Sequence, residues 1–259
     1  MLDALKLLAT IELSHAGDCA LLGVDQEGCV YVEELYGEQD WLARHKISPS
    51  QGLVESVDEQ CGTVSLPAPL PLPELHASPS KMKVFDHLNF SGARWRGRIV
   101  DERIQDLLRG LSIAEKIALV DYLDWDIDPL RLLGIAESTV LSCCAYGDGE
   151  FLACRRIRVA FRLPEAGRDD HSLDCDYDSI EVHLLHRLPA DALELPDLRA
   201  CLTDLDLCRP LDCMRVDGKI YLADGGEGAI KSALHVFEIG TSGDEAQHEI
   251  ETAEALDSD

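Results

Sequence analysis

Val100-Asp101-Glu102-Arg103-Ile104-Gln105-Asp106-Leu107-Leu108-Arg109-Gly110-Leu111, followed by Ser112-Ile113-Ala114-Glu115, is the stretch whose reading decides the fold class. Val100, Ile104, Leu107, Leu108 and Leu111 recur at the 3.6-residue helical spacing, and Gly110 stands where a helix would stop. Ser112 and Glu115 then form a capping box, in which each side chain takes a backbone N–H that the first helical turn leaves unbonded. That box starts a second helix with Ile117, Val120 and Leu123 on its buried stripe. Two helices so closely joined predict an αα-hairpin. Asp128-Pro129 predicts a third, short helical piece, capped by the aspartate and ending near Gly134.

On either side of this segment the periodicity changes to two. Ala20–Val24 and Cys29–Leu35 flank Asp25-Gln26-Glu27-Gly28 and read as a β-hairpin, with Gly28 at a turn position that needs positive φ. Leu2 to Leu13 fits a helix or a strand equally. Thr139–Ala145, the turn Tyr146-Gly147-Asp148-Gly149 and Glu150–Leu163 form a second hairpin. Its return strand alternates Ile157, Val159, Phe161 and Leu163 with Arg156, Arg158 and Arg162. A strand is expected over Ser179–Leu188, with Ile180, Val182 and Leu184 inward and Glu181, His183, Leu185 and Arg187 outward. Asp217-Gly218 marks a type I′ turn between Cys213–Val216 and Lys219–Leu222, and Ala233–Ile239 adds a strand. The expected class is α+β: antiparallel β-hairpins and sheet packed against a central αα-hairpin.

Alternate prolines in Leu66-Pro67-Ala68-Pro69-Leu70-Pro71-Leu72-Pro73 fix φ and remove backbone donors, which predicts an extended linker over residues 64–80. It divides a small hairpin-containing region, 1–63, from a main α+β domain, 81–240. The tail, 241–259, has seven acids and no Lys or Arg, and disorder is expected there.

The 259 residues carry a formal charge of −26, unevenly: −10 over 1–80, +1 over 81–168 and −17 over 169–259. Such a surface repels nucleic acid and anionic membrane and attracts cations. Sixteen Arg to seven Lys suits either a salt-rich cytoplasm, an acidic docking face or an imitation of a phosphate array. No apolar run reaches the roughly 18 residues that span a bilayer. The N-terminus lacks the cationic region of a secretory signal, so a cytoplasmic location is expected. The ten cysteines form no C-x-x-C pair, and several lie among apolar neighbours as small buried hydrophobes.

Two Asp-x-Asp-x-Asp runs offer clustered oxygens to a hard cation: Asp124, Asp126, Asp128 and Asp174, Asp176, Asp178. Both lack the glycine at loop position six, and Ile135 and Leu185 stand where a bidentate glutamate is needed. Asp128 is accounted for as a helix cap. The second run is followed by Glu181 and His183, so Asp174, Asp176, Asp178, Glu181 and His183 are the candidate ligands for a divalent cation. Asp178 shares parity with the inward Ile180, so that strand should start after Asp178 or contain a bulge. The first reading of this acidic run is nonetheless the plainer one, solvated acids facing the Arg156, Arg158 and Arg162 row across the hairpin. His183 and His186 are three apart and fall on opposite faces of a strand. Arg94, Trp95, Arg96 and Arg98, continued by the Arg156, Arg158 and Arg162 row, are the candidate anion-binding residues.

The glycine run Asp224 to Ser232 lacks the Gly-Lys-Ser succession of a P-loop and reads as a flexible turn. No G-x-S-x-G, H-E-x-x-H or G-x-G-x-x-G motif is present, and no catalytic residue is assigned. The expected function is that of a non-catalytic, acidic interaction protein that binds a basic protein partner electrostatically, in a sharper form as a nucleic-acid mimic. The alternatives are a divalent-metal-dependent enzyme acting on an anionic substrate, and an anion or RNA binder through the Arg-Trp-Arg cluster.

Overall fold

The computed structural model describes residues 2, 5–37, 41–60, 74–77, 107–147, 149–162, 177–189 and 196–240. Among them the strands are β1 (Leu5–Glu12), β2 (Gly17–Asp25), β3 (Val30–Tyr36), β4 (Trp41–Ser48), β5 (Gly52–Gln60), β6 (Leu75–Ala77) and β7 (Arg109–Gly110). They continue as β8 (Leu132–Gly147), β9 (Glu150–Arg162), β10 (Tyr177–Pro189), β11 (Arg209–Val216), β12 (Lys219–Gly225) and β13 (Ala233–Ile239). The helices are α1 (Ile113–Tyr122), α2 (Leu198–Cys201) and a 3-10 turn at Pro129–Arg131.

The expected α+β class is corrected by this architecture. The described residues are 64% strand and 10% helical, and α1 is the one helix among them of seven residues or more. Its capping box forms as expected, with Ser112 and Glu115 bonded reciprocally. The preceding helix of the expected αα-hairpin is absent where it can be seen: Arg109 and Gly110 pair with Ile135 and Gly134 as a strand, and Leu108 N–H donates to the Ile135 carbonyl. Val100 and Ile104 lie outside the described residues. Helix propensity is a weak preference, and the open edge of β8 offers the same backbone better hydrogen bonds. The buried stripe of α1 also differs. Glu115, Leu119 and Val120 are buried while Ile117 is 46% exposed.

Local turn chemistry does what its residues require. Asp217 and Gly218 both take positive φ, 49° and 78°, as a type I′ turn demands, and Gly28 has φ 81° between β2 and β3. Leu5–Glu12, ambiguous in sequence, is strand β1, antiparallel to β13. Of the expected linker, Leu75–Ala77 is an edge strand on β2. The remaining proline run and the acidic tail fall outside the described residues.

The strands build three antiparallel sheets, ordered β1-β13-β12-β11, β5-β4-β3-β2-β6 and β10-β9-β8-β7, with an isolated bridge between Glu227 and Ile230. Three cores show how they stack. Leu21, Val30, Val32 and Ile47 of the five-stranded sheet meet Met214, Tyr221, Leu234 and Val236 of the first sheet. The other face of that first sheet, with Cys213, Leu222 and Phe237, meets Leu152, Cys154 and Leu185 of the third. The far face of the third sheet, with Ile157, Val159, Val182 and Leu184, is covered by Leu119, Val120 and Leu198 of the helices. The order is therefore sheet, sheet, sheet, helix. The β1-β13-β12-β11 sheet is an inner layer with another sheet on each face, which is why Ile220–Ala223 and Leu234–Phe237 are buried without alternation. Leu185, expected outward, is 1% exposed for the same reason: a second sheet covers that face.

Among the described residues, no helix is long and apolar enough to cross a membrane.

Candidate functional site

The chain between α2 and β11 has to change layers. Leu198, Cys201 and Leu202 pack on the helix-covered face of the third sheet, whereas Leu205 and Leu207 pack on its opposite face. The intervening residues pass around the free edge of β10, the terminal strand of its sheet. Beside that crossing is a groove of about 790 Å³. Its floor is the run Ser179–His183, all five consecutive residues; a groove on one face would be lined by alternate ones. Tyr122 and Leu123 form one wall, Arg209 and Glu227 the other, and Thr203–Cys208 close the end.

Buried carboxylates hold these walls in place. Glu115 Oε1 accepts from Arg109 Nη2 at 2.8 Å and from the Leu198 N–H at 3.1 Å, while Oε2 accepts from the Ser112 N–H and hydroxyl, both at 2.9 Å. Burial pushes its pKa up, yet these donors outweigh burial and the net shift is downward. Glu115 thus ties the start of α1 to β7 and α2. Asp224 does the same for the crossing segment: its Oδ2 accepts from the Cys208 N–H at 2.9 Å and its Oδ1 from the Arg209 N–H at 2.6 Å. The glycine run read as a flexible turn is therefore ordered. Ser232 Oγ, fully buried, accepts from the N–H groups of Gly17 and Gly226 and donates to the Gly17 carbonyl.

Of the expected metal ligands, Asp174 and Asp176 lie outside the described residues. Asp178 is inside β10, which begins at Tyr177 without a bulge, against the expectation of a later start. It escapes burial by sitting at the strand end, exposed, with its carboxylate accepting from the Ser179 N–H at 2.7 Å. Glu181 and His183 line the groove. Glu181 Oε1 is held by Arg158 Nη2 at 2.9 Å and faces Arg156 Nη1 at 3.9 Å. The Arg158 hydrogen bond, opposed by partial burial and helped by Arg156, keeps its carboxyl below the usual range. His183 is held below its ordinary pKa, by burial first and by Arg209 second.

Arg156 and Arg158 also approach Glu137, at 3.4 and 3.9 Å, so both guanidinium groups lie between carboxylates. Arg162 is exposed at the end of β9 and has no ion pair among the described residues. Arg94, Trp95, Arg96 and Arg98 lie outside the described residues.

The structure adds residues that sequence reading missed. Arg209 pairs with Asp18 at 2.9 Å and donates to the Gly226 carbonyl at 2.5 Å, so its charge is spent within the fold. Asp204, Asp206 and Glu227 are exposed at the groove and form no ion pair among the described residues. Neither Asp204 nor Asp206 belongs to a motif, and only the path of the chain around β10 brings them to Glu227.

Two cross-strand polar rows lie elsewhere. His45 Nδ1 is 2.9 Å from Ser56 Oγ, and its Nε2 is 3.0 Å from Glu34 Oε2, with His45 and Glu34 both fully buried. His235 likewise joins Thr10 Oγ1, at 3.0 Å, to Asp224 Oδ2, at 3.3 Å. Each histidine bonds a hydroxyl with one nitrogen and a carboxylate with the other. In comparisons with known proteins, no family model, no curated protein and no solved structure matches this chain.

Proposed function

We propose that this protein is a non-catalytic interaction protein whose acidic surface binds a basic protein partner by charge complementarity, with the groove beside β10 at the centre of contact. The observation that carries this reading is an imbalance in pairing. Arg44, Arg109, Arg156, Arg158, Arg187 and Arg209 each have a carboxylate of the chain itself as partner. Asp204, Asp206 and Glu227 form no ion pair among the described residues and line one groove, whose one arginine, Arg209, is paired with Asp18. In a chain of formal charge −26, a lysine or arginine side chain entering there meets three carboxylates that hold no ion pair among the described residues.

The measurement is the affinity of the full chain for oligolysine, by calorimetry, between about 0.05 and 0.5 M salt, where screening shortens the range of charge attraction severalfold. Binding that weakens at least tenfold across this range is expected. No binding at the low end, or binding indifferent to salt, overturns the reading.

A further inference from the structure

Resting on that reading, we propose that the groove takes its partner as an added β-strand: an extended segment of a basic protein, with Lys or Arg alternating with apolar residues, pairs through its backbone with residues 179–183 of β10. Three features of the place lead there.

The first is the unused edge. β10 pairs with β9 along all thirteen residues and ends its sheet on the other side. Among the described residues, no backbone-to-backbone hydrogen bond runs from Ser179–His183 to anything but β9. A strand edge of this kind is a template for another chain, and proteins ordinarily blunt or cover it. Here the crossing segment Thr203–Cys208 lines the groove together with Ser179–His183 and, among the described residues, makes no backbone-to-backbone hydrogen bond to them.

The second is that the two walls differ chemically. On the helix side, Ile180, Val182, Tyr122 and Leu123 are apolar or half-buried members of the helix-side core. On the other side stand Glu181, His183 and Glu227, together with Arg209, which is paired with Asp18. Successive side chains of an extended strand point to opposite faces. A segment laid in this slot therefore sends every other residue to an apolar wall and the rest to an acidic one. Backbone pairing supplies affinity that depends little on sequence, and the two walls select the alternation.

The third is that the charge selects among occupants. A second copy of this chain would bring its own Asp178 and Glu181 against Asp204, Asp206 and Glu227, so self-pairing through β10 is repelled.

The probe is a fluorescein-labelled peptide of alternating lysine and valine, measured by anisotropy against the full, unsubstituted chain. Two further versions carry N-methyl groups on all lysine amides or on all valine amides, leaving charge and side chains unchanged. One methylated version is expected to bind at least tenfold more weakly and the other within about twofold of the parent, because only alternate N–H groups of a strand face its neighbour. Alternate amides within 179–183 should gain hydrogen-exchange protection on binding. Equal binding of all three versions, or of a peptide with the same lysines and valines in two blocks, overturns the inference. So does a dimeric free protein in which those amides are already protected. If oligolysine still binds with its salt dependence while methylation has no effect, the partner reading stands and the strand pairing falls. If neither peptide binds, both fall.

Discussion

The carboxylates of the interior and those of the groove are the same chemical groups put to opposite uses. Asp25, Glu34, Glu115, Asp212 and Asp224 are all buried. Four of them accept backbone N–H groups: Asp25 from Glu27 and Cys29, Asp212 from Leu21, Glu115 from Ser112 and Leu198, Asp224 from Cys208 and Arg209. The fifth, Glu34, meets His45; although burial opposes its ionisation, hydrogen bonds and nearby histidines hold its pKa below the usual value. These acids join segments far apart in sequence, such as 21 to 212 and 115 to 198. Asp204, Asp206 and Glu227 join nothing among the described residues. Part of the acid excess is therefore fastening within the fold, and the exposed part is what the proposed partner would meet.

If that contrast is right, removing an interior acid should damage stability, and removing a groove acid should damage only binding. The largest effect is expected for Glu34→Ala, which strands His45 in the core and should cost about 3–5 kcal/mol in denaturant unfolding. A loss under about 1 kcal/mol would erase the distinction.

Next is an acid limb that involves no carboxylate. Arg155 donates through Nε to His186 Nε2 at 3.0 Å, and His186 Nδ1 lies 2.9 Å from the Arg187 carbonyl, so the ring is neutral with its proton on Nδ1. Burial first and Arg155 second hold its pKa down, from 6.5 to about 4. The unfolded chain takes up a proton below pH 6.5 that the folded one refuses until about pH 4. Stability should thus be full above that window and fall by about 1.4 kcal/mol per pH unit through it as pH drops. His186→Asn should flatten this slope in unfolding midpoints measured from pH 7 to 4.

A smaller loss, about 2 kcal/mol, is expected for Asp224→Asn, which keeps the shape but turns one of the two accepting oxygens into an NH2 donor, so that at most one of the two backbone hydrogen bonds survives and without its charge. Hydrogen exchange at Cys208 and Arg209 should rise with it; unchanged exchange would mean the crossing segment is held by other contacts. The smallest effect on stability, within about 0.5 kcal/mol, belongs to the combined Asp204→Asn, Asp206→Asn and Glu227→Gln variant, because the three side chains are exposed. Its oligolysine affinity should nonetheless fall severalfold. Unchanged affinity would place the contact elsewhere on the acidic surface.

Features legible in the sequence were those that depend on neighbouring residues alone. The Ser112–Glu115 box, the Asp128 cap, the Asp217-Gly218 turn and the alternation of Ile157 and Val159 with Arg156 and Arg158 each need only a few consecutive side chains to satisfy their own backbone or present one face. Leu107 and Leu108 misled because an apolar spacing of three or four suits a helix only if no strand edge competes for the same backbone, and β8 does compete. Ile117 misled because an apolar residue on a helix is buried only where another layer covers it. At the candidate site, Glu181 and His183 were visible as residues. Their neighbours Asp204, Asp206, Arg209 and Glu227 were not, being assembled from three separate turns of the chain.

The sequence by itself determined the turns, the caps, most of the strands and a charge that favours cationic partners, since these follow from local stereochemistry and from counting ionisable groups. Tertiary structure alone decided the order in which the sheets stack, which acids turned inward to hold backbone N–H groups, and that the outer edge of β10 is unpaired among the described residues. Those outcomes depend on which distant segments arrive beside one another, and hydrogen bonding and burial reward only the arrangement that satisfies all of them at once.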